Sequence, residues 1–107
     1  MTRLDASGRF CSRLLLAALA WSPGHRVDLR VGVDAVVIGS CVTGRQVVGG
    51  RGELTVPVSA RMLVGLAAQV VLVAVPARDL LVVHPPKLIT RLLTEYYGRQ
   101  LEVRGDG

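Results

Sequence analysis

One short order of elements occurs twice in this chain, and that limits its fold more than any other feature. From Gly8 the sequence runs through a β-prone stretch at 9–12 and a helix-compatible run at 14–20. Two further β-prone runs follow at 26–31 and 35–38, around a turn at 32–34. From Gly52 the same order returns: β-prone at 53–56, helix-compatible at 58–64, then runs at 69–75 and 80–84 around a turn at 76–79. The two starting glycines lie 44 positions apart. The repeat rests on this order, because few letters match. A unit this short buries too little apolar surface to stand alone, so the copies need a shared core.

Local chemistry supports the elements. In Arg26-Val27-Asp28-Leu29-Arg30-Val31 apolar and polar residues alternate strictly, the pattern of a half-buried strand. The corresponding run, Val70-Val71-Leu72-Val73-Ala74-Val75, is apolar throughout and is expected to be covered on both faces. Pro, Asp and Gly mark the turns, since each suits a turn backbone for its own steric reason. Between the copies, 39–52 carries Gly at 39, 44, 49, 50 and 52 around a short β-prone stretch, Gln46-Val47-Val48. Glycine this dense permits either close backbone approach or mobility; we read the segment as a flexible connection carrying a strand. After Pro85-Pro86, the residues Leu88, Ile89, Leu92, Leu93, Tyr96 and Tyr97 follow amphipathic-helix spacing up to Gly98.

These boundaries give one domain over 1–107: a first repeat at 4–40, a Gly-rich connection at 41–51, a second repeat at 52–85, a helix at 86–98 and a tail at 99–107. Val and Leu must build the core, because Phe10, Trp21, Tyr96 and Tyr97 are the only aromatic residues. The expected class is therefore mainly β with short helices.

Charge and cysteine content narrow the function. The net charge is +5, and twelve of the thirteen basic residues are Arg, with Lys87 the single Lys. A basic domain suits a polyanion, although the preference for Arg over Lys can follow from genomic base composition and carries no weight here. Cys11 and Cys41 form no CxxC or Cys/His cluster, so neither a metal site nor a cofactor is expected, and they read as reduced thiols. No stretch has the apolar length of a membrane span. Arg9 and Arg13 before the apolar run 14–21, with Ala18-Leu19-Ala20 near its end as a small-x-small cleavage pattern, imitate an export signal. Asp5 in the basic region and the shortness of the run argue against that, and a cytoplasmic protein is expected. Catalysis is not expected either. His25 and His84 are the only histidines and have no Ser/His/Asp or Cys/His context, and Gly49-Gly50-Arg51-Gly52 lacks the ending of a phosphate loop.

The most informative stretch is Leu54-Thr55-Val56-Pro57, followed by Arg61 and Val64-Gly65-Leu66, and closed by Leu80-Leu81-Val82-Val83-His84-Pro85. In order and spacing it resembles the DNA-binding module of the AbrB/MazE/SpoVT-type transcription regulators. The first copy has the other family features: Arg9 directly after Gly8, and a Pro-Gly-x-Arg-Val turn in Pro23-Gly24-His25-Arg26-Val27. Each copy also departs from the family. Glu53 stands where Arg is usual, Ala67-Ala68-Gln69 replaces the usual Pro-Gly-Asp, and Arg13 stands where Pro is usual. Two modules in one chain are known in the MraZ type.

The resemblance implies a swapped-hairpin β-barrel made from two β–loop–helix–β-hairpin units. The units pair either with each other, as an internal pseudo-dimer, or with those of a second chain in a homodimer. It also implies a transcriptional regulator that contacts double-stranded DNA through Arg9, Arg51 and Arg61, with Arg13 and Arg45 nearby, some contacts going to phosphates and a few to base edges. The alternative is a protein-interaction or antitoxin-like module that keeps the fold. Glu53 and Met62, at positions where basic residues are frequent, motivate it. Its partner surface would be the C-terminal helix with Leu88, Leu92 and Tyr96.

Overall fold

The computed structural model describes residues 2–86 together with residues 95 and 96. The helix expected at 86–98 and the tail at 99–107 therefore lie almost wholly outside the described residues, as do Leu88 and Leu92.

The chain is mainly β, and residues 2–85 include two short α-helices. In order it forms β1 (Thr2–Arg3), β2 (Arg9–Cys11), α1 (Arg13–Ala18), β3 (Arg26–Val31), β4 (Val36–Ser40), β5 (Gln46–Val47), β6 (Glu53–Thr55), α2 (Val58–Val64), β7 (Gln69–Val75), a 3-10 turn (Pro76–Arg78) and β8 (Leu80–His84). Six strands form one curled antiparallel sheet, a half-barrel, in the order β1-β7-β8-β4-β3-β5. β2 and β6 form a separate two-stranded antiparallel ribbon.

The pairing crosses between the two halves of the chain. β1 pairs with β7 in the second half, whereas β5 pairs with β3 in the first. The hairpins β3–β4 and β7–β8 meet along β4–β8, where Val37 lies opposite Val82. α1 packs over β7, and α2 packs over β3 and β4. The register has an approximate twofold axis. In the ribbon Phe10 faces Leu54, with Arg9 opposite Thr55 and Cys11 opposite Glu53. Buried positions correspond as well: Val27 with Val70, Val36 with Leu81, Ile38 with Val83, and Leu4 with Val48.

The core lies between the sheet's inner face, the ribbon and the helices. Val27, Val36, Ile38, Val56, Val70, Leu81 and Val83 are fully buried there, and Phe10, Leu16, Leu19, Trp21 and Leu54 close it. Burying this aliphatic set removes apolar area from water, the main favourable term in folding. The apolar run at 14–21 thus supplies core residues through Leu16, Leu19 and Trp21.

Two expectations need correction. β7 is covered on one face only among the described residues: Val70 is buried, whereas Val73 is 38% exposed. Val73 lies on the outer face of the sheet, while β8 pairs with the strand along one edge and β1 pairs with it at Gln69 and Val70 on the other. The segment between the copies is also no flexible link. β5 lies within it, Val48 is buried, and the Gln46 amide both donates to the Thr55 carbonyl (2.9 Å) and accepts from the Thr55 N–H (2.6 Å). At Gly44 a Cβ would run into the Val27 carbonyl, so this glycine serves close approach rather than mobility.

Candidate nucleic-acid interface

The ribbon positions the basic side chains. Phe10 and Leu54 point into the core, so the alternate residues Arg9, Cys11, Glu53 and Thr55 point outward. Each strand is entered through a four-residue turn, 5–8 or 49–52. The N–H of residue 8 bonds the carbonyl of residue 5 (2.9 Å), as the N–H of residue 52 bonds that of residue 49 (3.0 Å). Gly8 (φ +80°) and Gly52 (φ +76°) adopt the left-handed backbone that these turns require.

Arg3, Arg9 and Arg51 line one open groove of about 700 Å³ with Asp5, Cys11 and Glu53, and Leu4 and Phe10 form its floor. Arg9 Nε lies 3.4 Å from Asp5 Oδ2, with both side chains about half exposed. Asp5 Oδ1 also accepts the N–H groups of Ser7 and Arg9, each at 2.9 Å. The Arg9 backbone N–H is the main cause that holds the Asp5 carboxyl below its ordinary value, with smaller help from Ser7 and the Arg9 guanidinium against a desolvation that raises it. The Cys11 thiol donates to the Arg51 carbonyl at 3.1 Å, and both cysteines are free.

The other expected residues divide. Arg13, at the start of α1, lines an adjoining groove of about 500 Å³ that Arg51 shares. Arg61 is half-buried and structural in part: its Nε donates to the Val56 carbonyl at 3.0 Å. It lies against Gly8 and lines a third groove, of about 450 Å³, with Arg3 and Asp5. Arg45 is exposed and lines none of these three grooves. The structure thus gathers Arg9, Arg51, Arg13 and Arg61 around the ribbon and leaves Arg45 apart.

Sequence reasoning missed Arg3. No sequence signal marked it: the correspondence of Thr2-Arg3 with Gln46-Val47 is visible only in the strand pairing. It also missed a polar cluster spanning the two halves. The Trp21 indole N–H donates to Asp79 Oδ1 at 2.7 Å, His25 Nε2 lies 2.6 Å from Ser40 Oγ, and the Trp21 and His25 rings stack at 5.6 Å. Ser40, first, and Trp21 hold the Asp79 carboxyl below its ordinary value.

Among the described residues, no three His, Cys, Asp or Glu side chains group as metal ligands. No helix among them is long and apolar enough to cross a membrane. Comparison with known proteins adds no relative: no family model matches the chain, and no curated protein or solved structure matches it either.

Proposed function

We propose that this chain is a cytoplasmic, duplex-DNA-binding transcriptional regulator built on the swapped-hairpin plan of the AbrB-type proteins, with its two halves acting as an internal pseudo-dimer. The observation that carries the reading is the ribbon: two short antiparallel strands with Arg9 outward, flanked by Arg3 and Arg51 in one groove. A two-stranded ribbon has the width of the DNA major groove, and Arg supplies paired donors to phosphate or guanine. The crossing of β1 onto β7 and of β5 onto β3 supports the swapped plan, because each half lends a strand to the other's hairpin.

A salt series with duplex DNA tests the reading. Log affinity should fall linearly with log salt, with a slope of about −0.9 for each phosphate contact. The double variant Arg9→Ala/Arg51→Ala should weaken binding and flatten the slope. A wild-type chain that fails to bind duplex DNA at low salt would sink the proposal.

A protein-interaction module is the second reading. Val58, Met62 and Leu63 on α2 favour it, exposed at 60%, 77% and 73%. In that case a stable protein partner is recovered with the wild type and lost with Met62→Glu, and DNA is not bound.

A further inference from the structure

The ribbon and its entry turns are nearly twofold in backbone but not in charge. Phe10 opposes Leu54, and the turns at 5–8 and 49–52 close with the same hydrogen bonds. Asp5 N–H bonds the Arg9 carbonyl at 2.9 Å, just as Gly49 N–H bonds the Glu53 carbonyl at 3.0 Å. The carboxylate that ties down each turn, however, comes from a different position. In the first turn it is Asp5, at the turn's first residue, so the first strand position is left to Arg9. In the second turn Gly49 takes the place of Asp5. Glu53, in the place of Arg9, reaches back so that its Oε2 accepts the Arg51 N–H at 2.9 Å. The Glu53 carboxylate covers Gly49, so a side chain there would have to displace it. The asymmetry continues outward: Arg3, Arg9 and Arg13 correspond to Val47, Glu53 and Pro57. Near the ribbon the first half therefore carries Arg3, Arg9 and Arg13 against Asp5, and the second carries Arg51 and the half-buried Arg61, whose Nε is taken up by the Val56 carbonyl, against Glu53.

We infer that the ribbon engages duplex DNA in one orientation, at a target without twofold symmetry, and that Glu53 sets this orientation by repelling phosphate on its side. This rests on the DNA-binding reading above. A carboxylate at the place where the other half presents Arg9 removes one attraction and adds one repulsion. Two symmetry-related half-sites are then not equivalent to the protein, although the backbone that presents them is nearly the same.

Selection of binding sequences from a random duplex pool, joined to the salt series on a short random-sequence duplex, tests the inference. Wild type should select a non-palindromic consensus. Glu53→Gln keeps an oxygen that can accept the Arg51 N–H, so the turn survives while the charge is removed; it should bind several-fold more tightly. Glu53→Arg should steepen the salt slope by about 0.9, one added phosphate contact, and shift the selected sequences towards a palindrome. Far-ultraviolet circular dichroism on both variants establishes that each is folded. Wild-type selection of a palindrome overturns the inference while leaving DNA binding intact. So do folded Glu53 variants with unchanged affinity and slope. Failure of the wild type to bind any duplex overturns both.

Discussion

Two residues other than glycine adopt a left-handed backbone among those described, Ala20 (φ 58°) and Asp79 (φ 56°), and their chemistry differs. Ala20 follows α1, where its N–H returns to the Ala17 carbonyl and the Trp21 N–H to the Leu16 carbonyl. Gly65 does the same work after α2 with no Cβ in the way. Ala20→Gly should therefore stabilise the protein by about 1 kcal/mol, since relief of the Cβ strain exceeds the added freedom of the unfolded chain. A denaturant midpoint that rises at constant slope would bear this out, and one that falls would reject it. Asp79 tolerates the left-handed region and gains two donors, Ser40 and Trp21. Its folded carboxyl titrates below the ordinary 3.8, so its contribution is present above that value and is lost as pH falls through the folded value. Asp79→Asn should cost about 1 kcal/mol at neutral pH, and the gap from wild type should close in acid. Trp21 is the only tryptophan, so its fluorescence reports the transition directly. A gap that stays constant with pH would show that the carboxylate's charge contributes nothing.

The turns that enter the ribbon place equal demands on the backbone and unequal ones on the space around it. At Gly8 an added Cβ would run into the Val56 carbonyl and crowd Arg61 Nε at 2.8 Å; at Gly52 it would meet only the Arg13 and Leu16 side chains at 3.5 Å. Gly52→Ala should thus cost about 1 kcal/mol, the price of a left-handed alanine, and Gly8→Ala at least about 3 kcal/mol. Equal losses in denaturant melts would mean that Arg61 and the Val56 carbonyl yield freely. The same elements show what was legible in the sequence. α2 was, because Pro57 and Gly65 bracket it, and so were the hairpins, through alternation and turn residues. α1 begins at Arg13 and has no such brackets, so its ends were displaced. β1 was invisible: two residues carry no periodicity, and only its pairing with β7 makes it a strand. At the candidate site, the glycines beside Arg9 and Arg51 singled these two out, whereas nothing marked Arg3, since it depends on β1. The cluster of His25, Ser40 and Asp79 was also illegible, because strand pairing rather than sequence spacing brings the three together.

At the scale of the whole molecule, neither half has a core of its own. β1 lies on β7 and β5 on β3, α1 packs on the second hairpin and α2 on the first, and β4–β8 joins the hairpins at the centre. Val36 and Ile38 are buried against Leu81 and Val83 across that seam, so removing either half exposes the inner face of the other. A fragment of residues 1–44 should therefore be unfolded by circular dichroism, and mixing it with residues 45–107 should restore β-structure, because the lost contacts lie between halves rather than within them. In the intact chain Val27→Ala and Val83→Ala, one on each half, should each lower a single shared transition by roughly 1–3 kcal/mol. Two separate transitions, or a first-half fragment that folds alone, would show instead that the crossing strands decorate two independent units, and an internal pseudo-dimer would no longer follow from the strand pairing.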